Sequence, residues 1–103
     1  MAIQWSDFAL QSLEEIVLYY EQNAGRLVAE RAEIEIWNQV EALNRFPLSI
    51  SESEIYPGTR KLAIQNFPYV VFLRKLGPEL WQVVDVVHTS RKLPKSKGPD
   101  DGE

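Results

Sequence analysis

The only histidine of the chain, His88, closes an apolar run and is followed at once by Arg91 and Lys92, in a stretch (residues 83–94) that reads VVDVVHTSRKLP. An imidazole titrates near neutrality, so His88 is able to take or give a proton. Arg60, Arg74 and Arg91 carry guanidinium groups that can hold a phosphate through paired N–H donors. Together these residues form the inventory that metal-independent RNA cleavage requires: a base for the 2′-hydroxyl, cations for the developing phosphorane charge, and an acid for the leaving oxygen. An ordinary basic surface contains the same residues. A lone histidine at the end of an apolar strand is more often structural, bonded to a nearby backbone carbonyl and fixing the tail. Arg91 and Lys92 are as readily a solvated tail as a partner contact. Arg74 also ends an apolar run, where its fork of donors calls for a carboxylate or a phosphate.

The rest of the composition narrows the chemistry. The chain has 103 residues, enough for one core and too few for two domains with a cleft between them. It has no cysteine, which removes disulfides and thiolate metal sites and fits a reducing cytosol. One histidine is too few for a multi-histidine metal centre, and no metal or other cofactor is expected. The opening MAIQWSD lacks the basic and then apolar start of a signal peptide. No apolar run reaches the roughly 18 residues that suggest a membrane span, so a cytoplasmic protein with no membrane partner is expected. The net charge is −4, against general coating of nucleic acid, but it is unevenly placed. Residues 1–54 carry a balance of −7, residues 60–97 one of +6, and the last residues one of −3. If the second half forms one face, that face is positive and attracts an anionic partner.

Elements must bring these residues together. Residues 3–5 form a short strand ahead of Ser6 and Asp7, which suit a helix start. Ala9, Leu13, Ile16, Val17 and Tyr20 then recur at helical spacing through Glu21. Asn23, Ala24 and Gly25 break the pattern, and Ala29, Ala32, Ile36, Val40 and Leu43 form a second stripe that ends before Pro47. The two helices should form an antiparallel hairpin, closely packed at its small residues Ala29 and Ala32. Ile34 and Trp37 fall beside the second stripe. There they either widen the core, the commoner fate, or form an exposed ridge for a partner.

Residues 47–58, with SISESE at 49–54, read as a loop. Three strand-like runs follow at residues 60–65 (RKLAIQ), 69–75 (YVVFLRK) and 81–88 (WQVVDVVH), joined by links of hairpin length. The expected fold is α+β in two layers: an N-terminal strand and a helical hairpin packed on a mainly antiparallel sheet whose last three strands form a meander. Residues 1–94 make the domain, and residues 95–103 are expected to be a disordered tail. Strict alternation puts Gln82, Val84, Val86 and His88 on one face of the last strand and Trp81, Val83, Asp85 and Val87 on the other. Both faces are apolar, so that strand should be central. The sheet face away from the helices then needs a cover, for which a partner segment is the candidate.

The order of elements, with EALNRFP at 41–47, PGTRKL at 57–62, PYVVFLRK at 68–75 and the terminal HTSRK at 88–92, resembles the RelE/ParE superfamily of type II toxin-antitoxin toxins, and more closely its ParE branch. The resemblance runs over residues 3–94 and implies a small cytosolic toxin held inactive by a cognate antitoxin. The ParE branch implies poisoning of DNA gyrase through binding, with growth arrest and plasmid stabilisation as consequences. The RelE branch implies ribosome-dependent cleavage of mRNA by basic residues of the sheet. By position, Arg60 and Lys61 match the basic start of the first meander strand, Arg74 the arginine ending the middle one, and His88 and Arg91 the terminal HxxR pattern. Asp85 stands where many relatives carry an uncharged or basic residue, and no tyrosine follows the last strand; both departures speak against a nuclease. The reading is a ParE-like inhibitor that contacts target or antitoxin through Arg60, Lys61, Arg74, His88, Arg91, Lys92 and Trp37. The alternatives are a RelE-like ribonuclease using His88, Arg60, Arg74 and Arg91 on the ribosome, and an inactive relative that only binds antitoxin. A homodimer or a larger toxin-antitoxin assembly fits either toxin reading.

Overall fold

The computed structural model describes residues 2–45, 51–52 and 58–90. The chain begins with β1 (Ala2–Trp5) and continues through α1 (Asp7–Asn23), α2 (Arg26–Glu41) and a 3-10 turn at Ala42–Asn44. Four further strands follow: β2 (Ser51–Glu52), β3 (Thr59–Ala63), β4 (Tyr69–Gly77) and β5 (Leu80–His88). They form one sheet in the order β1-β5-β4-β3-β2. The expected α+β fold and its terminal meander are therefore present.

The first and last strands lie side by side, with Ala2 to Trp5 running parallel to Leu80 to Val83; the other pairs are antiparallel. The last strand is interior, between β1 and β4, and the central place belongs to β4. The pair Ser51–Glu52 joins the opposite edge against Lys61 and Arg60, so part of the segment expected to be a loop is a strand. Such a short edge strand is held by its neighbour's backbone, and no apolar alternation announces it.

Both helices begin and end for local reasons. Ser6 sits in extended backbone, its Oγ accepts from the Ala9 amide at 3.0 Å, and Asp7 follows in the first turn. The same residue ties α1 to the sheet: its amide donates to the Val83 carbonyl at 3.0 Å and its hydroxyl to that of Val84 at 3.3 Å. At the other end, the amides of Ala24 and Gly25 both donate to the Tyr20 carbonyl. Gly25 then turns the chain with φ +98°, a region glycine enters without steric cost.

The core lies between the helices and one sheet face. Ala9, Leu13 and Ile16 of α1 and Ile36 and Val40 of α2 meet Leu62, Ile64, Tyr69, Val71, Leu73, Val83 and Val86. Ala29 and Ala32 are fully buried, as small residues at a close helix-helix approach should be. Val83 and Val86 share this face although they stand three apart. The reason is a β-bulge: Phe72 pairs with Asp85, but Leu73 pairs with Val83, leaving Val84 as the extra residue. Strict alternation along the last strand is therefore incorrect. His88, Val86, Val83 and Trp81 oppose Tyr69, Val71, Leu73 and Lys75 in the register, on the helix side.

The face away from the helices is not left open at its centre. Phe72 there is fully buried, and Val87 and Thr59 are nearly so. These side chains are already out of water in the isolated chain, so the centre of this face needs no partner segment to cover it. No helix among the described residues is long and apolar enough to cross a membrane.

Candidate functional site

A cleft of about 460 Å³ lies between α1 and the adjoining ends of β4 and β5. Ser12, Glu15, Ile16 and Tyr19 form its helical wall, their spacing of three and four placing them on one helix face. Tyr69, Val86, His88 and Ser90 form the sheet wall. Tyr69 and His88 are register partners, and their rings meet edge to face at 5.1 Å. Tyr20 continues the aromatic cluster behind them, contacting Tyr69 and Phe67 edge on, with Tyr19 against its own ring at 5.3 Å.

His88 is half-buried, and its Nδ1 lies 3.0 Å from the Ser90 backbone nitrogen and 2.7 Å from the Ser90 hydroxyl. A backbone N–H can only donate, so Nδ1 is the bare nitrogen and Nε2 carries the proton. The histidine does fix the chain after the strand, but by accepting an amide proton rather than by reaching a backbone carbonyl.

Asp85 turns out to be part of the scaffold. Its Oδ1 accepts from the Ser12 hydroxyl at 2.7 Å and from the Val86 amide at 2.8 Å. The bulge at Val84 turns the carboxylate toward α1, so it clamps helix to strand instead of opposing the cations of the sheet. Its weight as a sign against nuclease chemistry is correspondingly smaller.

The expected cations stand elsewhere. Arg60, Lys61 and Arg74 are all exposed at the far end of β3 and β4. Arg74 pairs with Thr59 and Arg60 with Leu73, so the two arginines project to opposite faces; Lys61, opposite Phe72, shares the outer face with Arg74. Among the described residues the fork of Arg74 meets no carboxylate, and its Nη2 donates to the Gln82 side-chain oxygen at 2.9 Å. From Tyr69, beside His88, to Arg74 is five residues of extended strand, ~17 Å. His88 is therefore not brought together with Arg60 and Arg74. Arg91 and Lys92 lie outside the described residues.

Trp37 belongs to a third place. It stacks on Trp5 of β1 with centroids 4.8 Å apart, yet remains 40% exposed, and Ile34 is 56% exposed. The two form an exposed ridge rather than a widened core. Trp37 also lines a groove of about 490 Å³ between the helices, together with Leu10 and Val17 and the acids Asp7, Glu14 and Glu33.

Ser12, Glu15, Tyr19 and Tyr69 were not among the expected site residues. The spacing of 12, 15 and 19 beside the buried stripe of α1 is a signal in the sequence, but nothing local says that this helix face meets His88.

The family model for the ParE toxin of type II toxin-antitoxin system, parDE, matches residues 3–93. A solved structure described as the chromosomal ParDE TA system from P. aeruginosa superposes with a TM-score of 0.78 and 23% sequence identity, covering 87% of this chain and 97% of that one. That likeness speaks for the fold. No curated protein matches. Because the family match extends from β1 past the end of β5, over every element described above, the chain belongs to the ParE toxin family of type II toxin-antitoxin systems.

Proposed function

We propose that this chain arrests growth by binding DNA gyrase in the cytoplasm, without hydrolytic chemistry of its own, and that a cognate antitoxin neutralises it. The observation that carries the choice of binding over catalysis is the separation of His88 from Arg60 and Arg74. A phosphoryl transition state needs base and cations within hydrogen-bond reach of one group, and ~17 Å of strand parts them here. Lys61 and Arg74, which share the outer face, supply the contacts to the anionic target assembly, and Arg60, on the opposite face, stands apart from them. The antitoxin lies along the helical hairpin at Trp37 and Leu10, whose acidic border of Asp7, Glu14 and Glu33 suits an amphipathic segment with basic residues.

A purified supercoiling assay tests this reading. Inhibition that saturates with toxin and is reversed by the antitoxin is the expected outcome. Gyrase that supercoils normally at saturating toxin, with mRNA cut on programmed ribosomes, would replace the proposal with the ribonuclease. For the antitoxin, reduced deuterium uptake at the 26–41 helix is expected on complex formation, and no change there refutes the assigned surface.

A further inference from the structure

We infer that the cleft between α1 and the ends of β4 and β5 is a pocket for one arginine side chain presented by a partner polypeptide. The proposal rests on the antitoxin reading for the source of that arginine, but its chemistry comes from the cleft alone.

The first argument is charge. Among the described residues the lining contains one carboxylate, Glu15, and no lysine or arginine. Glu15 has no hydrogen-bond or ion-pair partner among the described residues, whereas Asp85 nearby is already held by Ser12 and the Val86 amide. The free anion of this cleft is thus Glu15. It lies one helical turn from Tyr19, a residue 55% exposed that lines the same wall. An aromatic ring beside an unpaired carboxylate suits a guanidinium, which stacks on the ring by its face and donates to the carboxylate by its edge. An ammonium is a compact, strongly hydrated charge and gains less from the flat ring.

The second argument is the donor on the other wall. With Nδ1 of His88 engaged by Ser90, the ring offers only its Nε2–H. A free cation has no use for a donor, but a peptide does, because each residue brings a backbone carbonyl along with its side chain. The two walls together therefore fit a residue within a polypeptide. The floor of Ile16, Val86 and Tyr69 accepts the apolar stem of a long side chain.

The test uses the full chain and a blocked Gly-Arg-Gly peptide, followed by NMR. Saturable shifts at the Tyr19 ring and at His88 are expected, with binding at least tenfold weaker for the citrulline peptide, which keeps the shape and loses the charge. Glu15→Gln should weaken binding by a similar factor, while Glu21→Gln, an exposed acid of α1 that lines neither the cleft nor the groove, should not; circular dichroism checks that both fold. Absent shifts, or equal shifts with citrulline, overturn the proposal. Binding that appears only after Arg91→Ala also overturns it, since the chain's own arginine would then be the occupant. With the antitoxin, Glu15→Gln should raise the Kd about tenfold. A wild-type chain that binds the peptide but not the antitoxin refutes the antitoxin reading, and one that binds the antitoxin but not the peptide refutes the pocket.

Discussion

Asp85 illustrates how one side chain changes meaning once its neighbours are known. In the run VVDVVH it is a lone acid on a strand facing basic elements, and reads as a charge that lowers the positive potential of the sheet. In the fold it is bonded to Ser12 and to the Val86 amide, and part-buried. Two hydrogen bonds to one carboxylate oxygen make this a structural clamp, so Asp85→Ala should destabilise the protein by about 1–3 kcal/mol. Ser12→Ala removes only one of the donors and should cost less, and the double variant should cost less than the two single losses added together, because they share a bond. Urea denaturation of the three variants measures this. Additive losses would mean that the side chains do not act on each other. A similar change of meaning affects His88. Its position at a strand end was legible, and its role as a tether was legible in kind, but its partner was not, since the Ser90 amide is brought to Nδ1 by the turn that follows the strand.

At the scale of elements, the glycine between the helices is tied to one backbone state. Gly25 has φ +98° and ψ 166°, and a methyl group added there would meet nothing within 4 Å. The cost of Gly25→Ala is therefore conformational rather than steric, about 1–3 kcal/mol in a region used almost only by glycine. A thermal melt unchanged from wild type would show that the connection relaxes freely. Phe72 provides a second prediction. If the sheet face away from the helices had to wait for a partner, Phe72→Ala would cost the free chain little; fully buried as it is, it should cost about 3–5 kcal/mol. Helix boundaries, the hairpin and the three meander strands could all be read in the sequence, because caps, breakers and periodicity are local. The bulge could not. It arises where Val84 falls between two register-fixed pairs, Phe72 with Asp85 and Leu73 with Val83, and no glycine marks it. The parity error it causes is why strict alternation puts Val83 opposite Val86 and His88, when the register puts it beside them. The cleft was hidden for a different reason: Glu15 and His88 are 73 positions apart and line one site only once α1 packs on β5.

The whole molecule separates its charges in space as well as in sequence. The helical layer carries Asp7, Glu14, Glu15, Glu30 and Glu33, while Lys61 and Arg74 share the outer face of the sheet. A protein of net charge −4 thus carries a cationic pair on one face and an acidic hairpin on the other, which suits the two partners proposed above. Two separate surfaces make two functions separable by mutation. Lys61→Glu with Arg74→Glu changes exposed residues, one of them bonded only to Gln82, and should leave the melting temperature nearly unchanged. Gyrase inhibition by this variant should fall about tenfold or more, equivalent to ~1.4 kcal/mol of lost binding. Binding to the antitoxin along the hairpin should change far less, because the reversed charges lie on the other side of the sheet, beyond a Debye length of about 10 Å at 0.1 M salt. Raising the ionic strength should weaken inhibition by the wild type more steeply than by the variant, whose patch no longer attracts. Equal loss of both activities with the fold intact would mean that target and antitoxin compete for one surface, and an unchanged inhibition curve would remove the patch from target recognition altogether.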